Sequence, residues 1–291
     1  MNRYLLSFRE RPRGGAVTSG SLWLPEGAAD IPWDDHLADI TTATQGSDVL
    51  FLIHGYNNDY EAGRVRLVRY MGMLADAGYQ GVQIACLWPG DGAAKALTYP
   101  FEGRDADDTA DAMARWIALH VDRGARVSFV AHSLGSRVAM RTAQNLARAS
   151  AGPALDRICL MAPAIDNDSL GRIDTTCYQE ATLAADRIAV LASEEDMVLR
   201  FAYPLGDLVQ TILFGERWGR ALGRTGPREQ EAAILARLQP VPKSRRERDI
   251  DHGDYLDVDD ARPHETIAES EKFVKDFLER AARPEWPAQR F

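Results

Sequence analysis

Residues 127–136, VSFVAHSLGS, join an apolar run typical of a strand to Ser133, which has a small residue two positions away on each side. This is the pattern of a nucleophile elbow, in which a serine on a strained strand-to-helix turn presents its hydroxyl above a sheet. A sharp turn presses the backbone against its neighbours, and Ala131 and Gly135 leave room for that approach. Ser133 is therefore the first candidate nucleophile. Because serine is also a favoured helix N-cap, the motif alone leaves that second interpretation open.

Composition limits the classes of function. With 291 residues, 45% hydrophobic and 26% charged, the chain is long enough for one large core, and we expect a single α/β domain over residues 1–291. The formal net charge of -9 argues against a general affinity for nucleic acid and favours a small-molecule partner. The three cysteines have no C-x-x-C spacing, so neither a zinc site nor a disulfide framework is expected.

The amino terminus and the hydropathy of the chain bear on its location. The first residues lack the apolar core and cleavage site of a secretory signal. No uncharged apolar run approaches the length that spans a membrane. We therefore expect a cytoplasmic protein without stable membrane insertion.

From about residue 48, short apolar runs alternate with longer amphipathic stretches. This alternation predicts an α/β fold with a mostly parallel twisted sheet and helices on both faces. The predicted strands are residues 48–53, 82–87, 126–131, 157–161 and 187–191, and apolar residues at steps of three and four predict helices over 67–74, 106–117, 134–146 and 267–281. Residues 4–8 and 21–24 predict an antiparallel hairpin at the sheet edge.

Residues 200–248 exceed what a single crossover connection needs. They contain an apolar piece within 205–218 and a basic run from Lys243 to Arg248. We predict that this insertion forms a small helical cap or lid over the site, since loops beside catalytic strand ends often carry lids. The alternative is an extra pair of surface helices followed by a solvated charged loop.

Two histidines follow Ser133 at a distance and are candidates for its base. A serine hydroxyl is a weak nucleophile at neutral pH and needs an adjacent base, which a third group orients. His252 lies in a polar turn before the last predicted helix, whereas His264 directly follows Pro263 at the start of that helix. Because the base must reach the serine from a loop, we favour His252. Its alternative role is that of a surface turn residue.

Two aspartates after predicted strands are candidates for the third group. Asp196 follows the strand over 187–191, and Asp166 follows the strand that ends at residue 161. We favour Asp196, because it follows the later strand and because the apolar Met197 and Val198 beside it would bury its backbone. Either aspartate would instead cap a helix if no imidazole reached it.

Five features in chain order resemble the α/β-hydrolase superfamily, and in particular its bacterial esterase/lipase-like members with an His-Gly-Tyr-Asn oxyanion loop. They are the strand that ends in His54-Gly55-Tyr56-Asn57, the later Leu87-Trp88-Pro89, the elbow around Ser133, Asp196 after a strand, and the late His252-Gly253. The resemblance covers residues 48–282. Ala131 departs from the usual glycine of the elbow, although it still satisfies the need for a small residue.

The resemblance implies hydrolysis of an ester-like bond by a Ser133–Asp196–His252 triad, without a metal or an organic cofactor. It also implies an oxyanion hole made by the backbone N–H groups of Tyr56 and Leu134. His54 precedes the serine at a strand end, so we expect it to hold the loop rather than act as the base. A thioesterase or acyltransferase with the same triad and a catalytically silent binding protein remain the alternatives.

Overall fold

The computed structural model describes residues 3–10, 15–23, 37–91, 99–149, 152–171, 177–200, 220–228, 231–241, 250–256, 265–281 and 284. The strands are β1 Arg3–Arg9, β2 Val17–Trp23, β3 Asp48–Ile53, β4 Val82–Leu87, β5 Arg126–His132, β6 Ala154–Met161 and β7 Arg187–Leu191. The helices are α1 Leu37–Thr44, α2 Tyr60–Asp76, α3 Tyr99–His120, α4 Gly135–Ala149, α5 Gln179–Ala184, α6 Leu222–Thr225, α7 Ala232–Leu235 and α8 Glu265–Leu278.

The seven strands form one sheet in the order β2-β1-β4-β3-β5-β6-β7. Only the pairing of β1 with β2 is antiparallel among these strands, and the other five pairings are parallel. Every residue of β4 and residues 49–53 of β3 are buried. Strands covered on both faces are mainly apolar, which is why the sequence shows apolar runs there, with Gln83 as a polar residue within β4. The predicted mostly parallel sheet and its edge hairpin are confirmed.

The helices form two groups, as a sheet covered on both faces requires. Helix α2 packs against α8, while α3 packs against α4, and α4 packs in turn against α5. The α3–α4 contact carries two bidentate ion pairs, Arg137 with Asp107 and Arg141 with Asp111. The buried side chains of α4 include Val138, Thr142 and Leu146, whose spacing is the helical period seen in the sequence.

The last helix differs from the prediction at its carboxyl end. The predicted helix reached residue 281, but α8 ends at Leu278. Arg280 takes the left-handed conformation, with φ 59°, and its guanidinium pairs with Asp156 at the start of β6. A left-handed residue ends a helix, and a tertiary ion pair holds it there, so helical periodicity alone could not place this boundary.

The topology reverses between β3 and β5. From β3 the chain passes through α2 to β4 on one side, and from β5 it passes through α4 to β6 on the other. Because parallel crossovers are right-handed, these two connections leave toward opposite faces of the sheet. Their divergence opens a crevice outside the carboxyl ends of β3 and β5, which is where open α/β sheets bind ligands.

Parts of the predicted cap insertion over 200–248 are described. Residues 220–228 lie on the loop after β6, where the Leu222 and Gly223 N–H groups donate to the carbonyls of Ile165 and Pro163 at 2.7 and 2.9 Å. Residues 231–241 follow the outer edge of β7 through a parallel bridge between Ile188 and Leu238. The apolar piece over 205–218 lies outside the described residues, so the cap stays a prediction.

Within the described ranges, none of the helices combines the length and the apolar character that crossing a membrane requires.

Candidate active site

Ser133 occupies a strained turn at the crevice. It follows the last residue of β5 and precedes α4, and its φ is 53°, in the left-handed region that non-glycine residues rarely adopt. An N-cap residue would have an extended φ, so the geometry of Ser133 differs from the N-cap interpretation. The turn is closed by the Ser133 N–H, which donates to the Met161 carbonyl of β6 at 2.9 Å.

The small residues beside Ser133 make this turn sterically feasible. A Cβ atom on Gly135 would lie 2.3 Å from the carbonyl oxygen of His54, a backbone atom that cannot move aside. Ala131 is fully buried between β3 and β6, where it pairs with Ile53 and Leu160. The turn therefore tolerates alanine at the first flank and needs glycine at the second.

A continuous chain of hydrogen bonds links the three sequence-predicted side chains. His252 Nδ1 lies 2.7 Å from Asp196 Oδ2, and His252 Nε2 lies 2.8 Å from Ser133 Oγ. A carboxylate can only accept, so Nδ1 carries the proton, and in the neutral imidazole Nε2 then accepts the serine hydroxyl. Asp196 is fully buried, and Ser133 is 6% exposed. The structure thus brings together residues from the loops after β5 and β7 and from the turn before α8.

Asp196 uses both of its carboxylate oxygens. Oδ2 binds the imidazole, and Oδ1 accepts the Leu199 N–H at 2.8 Å, which caps the helical residues 197–200. The two contacts weighed for this residue in the sequence, with an imidazole and with the start of a helix, are therefore both present. The backbone of Asp166 forms an antiparallel bridge with Ala221. His264 lies outside the described residues.

The turn that carries His252 is fixed at both of its sides. The Ser193 hydroxyl donates to the carbonyl of Ile250 at 2.6 Å. Asp251 accepts the N–H of His252 at 2.8 Å and the N–H of Met197 at 3.3 Å. These contacts join the turn to the loop after β7, which also holds Asp196.

The loop after β3 passes directly beside Ser133. A Cβ atom on Gly55 would lie 2.9 Å from Ser133 Cβ and 3.0 Å from His132 Nδ1, so only glycine allows this approach. Tyr56 follows Gly55, and Leu134 follows Ser133, so the two predicted oxyanion-hole residues lie on adjoining backbone segments. Asn57 then takes a left-handed φ of 61°, which asparagine tolerates better than most residues.

His54 holds this loop rather than facing Ser133. Its Nδ1–H donates to the Gly55 carbonyl at 2.8 Å, and its Nε2 accepts the Trp88 N–H at 3.2 Å. The Trp88 indole N–H donates back to the His54 carbonyl at 2.8 Å, and the two rings stack. Burial lowers the pKa of His54 from 6.5 to about 3, so this histidine stays neutral and keeps its tautomer.

A buried arginine and an asparagine brace the same loop, and the sequence analysis did not identify them. Arg9, at the end of β1, donates to the carbonyls of Asn58 and Trp88 at 3.0 and 2.7 Å and pairs with Asp91. The Asn58 amide donates to the carbonyls of Gly55 and Tyr56, both at 3.1 Å. Apart from the pair with Asp91, these bonds end on backbone carbonyls, so the sequence signal was a charge at the end of an apolar strand.

His132, the residue before the serine, was also missed. Its Nε2–H donates to the backbone carbonyl of His252 at 2.7 Å, and the two rings lie 4.9 Å apart between centroids. Burial, together with the neighbouring His252, lowers the pKa of His132 from 6.5 to about 3. His132 is therefore a neutral donor over the range in which enzymes are ordinarily assayed.

No group of three or more histidine, cysteine, aspartate or glutamate side chains within the described ranges could hold a metal ion. The three cysteines are buried and unbridged, and burial raises the pKa of the Cys86 and Cys159 thiols.

The chain is similar to one protein family and to solved structures of two esterases. The model of a family described as "Alpha/beta hydrolase of unknown function (DUF900)" matches residues 34–236. A hyperthermophilic esterase from the archaeon Pyrobaculum calidifontis is similar at 15% identity and a TM-score of 0.41, over 81% of this chain and 77% of that one. Esterase B from Lactobacillus rhamnosis HN001 is similar at 13% identity and a TM-score of 0.44, over 82% and 79%. No curated protein matched the sequence.

Proposed function

The chain belongs to the alpha/beta hydrolase family of unknown function DUF900, and on that premise we propose that it is a serine hydrolase that cleaves small carboxylic esters through an acyl-enzyme. The observation that carries the proposal is the continuous hydrogen-bonded chain from Ser133 through His252 to Asp196, with distances of 2.8 and 2.7 Å. A hydroxyl, an imidazole and a buried carboxylate in this order form the arrangement that activates a serine.

The proposed reaction begins with attack of Ser133 Oγ on the ester carbonyl carbon. His252 Nε2 takes the hydroxyl proton, and Asp196 stabilises the imidazolium that forms. The N–H groups of Tyr56 and Leu134 are the proposed donors to the oxyanion, supported by the close approach of their segments at Gly55. His252 then returns the proton to the leaving alkoxide, and the alcohol departs from the acyl-enzyme.

Deacylation uses the same groups in reverse. The His252 side chain is 13% exposed, so water can reach the base from solvent. His252 takes a proton from that water, the hydroxide attacks the acyl carbonyl, and Ser133 recovers its proton as the carboxylic acid leaves. An alcohol or thiol in place of water would give acyl transfer by the same steps.

Ser133→Ala tests the proposal. We expect the wild type to hydrolyse nitrophenyl esters and to react with a fluorophosphonate at Ser133, because the hydroxyl is the attacking group. The alanine variant should fold but lose roughly 10³-fold or more in kcat. Ser136→Ala is the matched control, since Ser136 lies three residues after Ser133 and its hydroxyl makes a 3.5 Å contact with the Ala131 carbonyl.

The result separates the alternatives. An unlabelled Ser133 in a folded wild type without esterase activity would contradict the proposal and favour a silent binding protein. Faster release of nitrophenol in the presence of added alcohols or thiols would instead favour acyl transfer. The variation of kcat/KM with acyl chain length would define the substrate class.

A further inference from the structure

His132 connects two segments that have to stay in register if Ser133 and His252 are to meet. It is the last residue of β5, directly before the serine, and its Nε2–H donates to the His252 carbonyl at 2.7 Å. The ring also contacts that of Tyr255, which lies three residues after His252, with 6.3 Å between ring centroids. The His132 side chain therefore ties the turn of His252 to the elbow itself.

We propose that His132 is a positioning residue that sets the distance between Ser133 Oγ and His252 Nε2, an inference that rests on the proposed serine hydrolase function. The bond to the His252 carbonyl spans from the residue before the nucleophile to the backbone of the base. If the turn that carries His252 rotated or shifted, the bond from His132 would break. The 2.8 Å contact between His252 Nε2 and Ser133 Oγ would lengthen at the same time.

The neutral state of His132 is part of this role. His252 becomes positively charged when it takes the serine proton, and its ring lies 4.9 Å from that of His132. A second charge at that distance would oppose the transfer. Burial keeps the pKa of His132 at about 3, so the residue supplies a hydrogen-bond donor without a charge.

The opposite side of the ring contacts the loop after β3. A Cβ atom on Gly55 would lie 3.0 Å from His132 Nδ1, so the imidazole fills the space between that loop and the turn of His252. A side chain of similar size is thus needed for packing alone. The test has to separate this packing from donation to the carbonyl.

Two substitutions of similar length make that separation. His132→Gln keeps an N–H donor near the position of Nε2, and His132→Met keeps the volume but removes the donor. We expect the methionine variant to lose about 10- to 100-fold in kcat on a nitrophenyl ester, because small displacements of a base are costly in rate. KM should stay within about threefold, and the glutamine variant should recover most of the loss.

The outcomes distinguish the two levels of the proposal. Equal kcat values for His132→Met and the wild type, or no recovery with glutamine in a folded variant, would overturn the positioning role. A fully active Ser133→Ala variant would instead contradict the serine hydrolase function itself.

NMR spectroscopy of the wild type tests the same hydrogen bond and does not depend on whether a variant folds. Long-range ¹H–¹⁵N correlations of the imidazole rings should show His132 as the neutral Nε2–H tautomer from pH 8 to about pH 5. The carbonyl acceptor at Nε2 requires this tautomer, and the lowered pKa keeps the ring neutral. An Nδ1–H tautomer would exclude the bond to the His252 carbonyl and overturn the inference. Protonation of this ring near pH 6.5 would overturn the neutral role proposed for His132.

Discussion

At the residue scale, the two candidate acids illustrate how a carboxylate acquires a role from its partners. Both follow strands of the same sheet, and the sequence favoured Asp196 without excluding Asp166. The structure places Asp196 Oδ2 2.7 Å from His252 Nδ1, while the backbone of Asp166 pairs with Ala221. The loop after β7 also shares contacts with the turn of His252, and those contacts are long-range and leave no periodic signal in the sequence.

We predict that Asp196→Asn lowers kcat by about 10⁴-fold on an ester substrate, because an amide cannot hold the imidazole in the productive tautomer. KM should change little, since the acid does not contact the substrate in the proposed mechanism. Asp166→Asn is the comparison, and we expect it to stay within about threefold of the wild type. Steady-state kinetics, with circular dichroism to verify folding, would check both. A strong loss in Asp166→Asn alone would assign the acid to the loop after β6.

At the scale of elements, apolar patterning predicted most of what is observed. The predicted strands 48–53, 82–87 and 187–191 coincide with β3, β4 and β7. Such strands are buried on both faces, so burial alone accounts for the run of apolar residues in their sequences. The order of Ser133, Asp196 and His252 was likewise readable from the elbow and the strand ends.

The supporting contacts were not readable in the same way. Arg9, Asn58 and His132 act on backbone carbonyls far away in the chain. Every residue has a backbone carbonyl, so the sequence does not show which residue is the acceptor of such a bond. Only the three-dimensional structure identifies which donor reaches which strand-end loop.

Glycines in two helices should respond in opposite ways to alanine. Gly135→Ala places a Cβ atom 2.3 Å from the His54 carbonyl, so we expect a loss of about 1–3 kcal/mol in the free energy of unfolding and about 100-fold in kcat. Gly72→Ala, in the interior of α2, meets only the tip of Arg3 at 4.0 Å and should gain about 0.5–1 kcal/mol. Urea unfolding and ester kinetics measure both effects. A stable, fully active Gly135→Ala variant would refute this account of the elbow.

At the scale of the whole molecule, two buried neutral histidines make the fold sensitive to acid. The pKa values of His54 and His132 are lowered from 6.5 to about 3 in the folded chain. Between those values the unfolded chain binds protons that the folded chain does not. The free energy of unfolding therefore falls as the pH falls from 6.5 toward 3.

We predict that, when the pH is lowered from 7 to 5, each of these histidines decreases the free energy of unfolding by about 2 kcal/mol. Urea unfolding at the two pH values would measure the total change. His132→Gln has no such proton to bind, so its loss over the same interval should be smaller than that of the wild type by about 2 kcal/mol. Identical pH dependence in the two proteins would mean that His132 titrates normally in the folded state.

The pairing of β1 with β4 has a practical consequence for the choice of fragment boundaries for expression. The family match covers residues 34–236, yet β1, with Arg9 at its end, precedes that interval, and His252 follows it. A fragment limited to the match would keep Ser133 and Asp196 but would turn the wholly buried β4 into an uncovered edge. Exposed apolar edges recruit other chains, so such a truncation should aggregate rather than yield a smaller working domain.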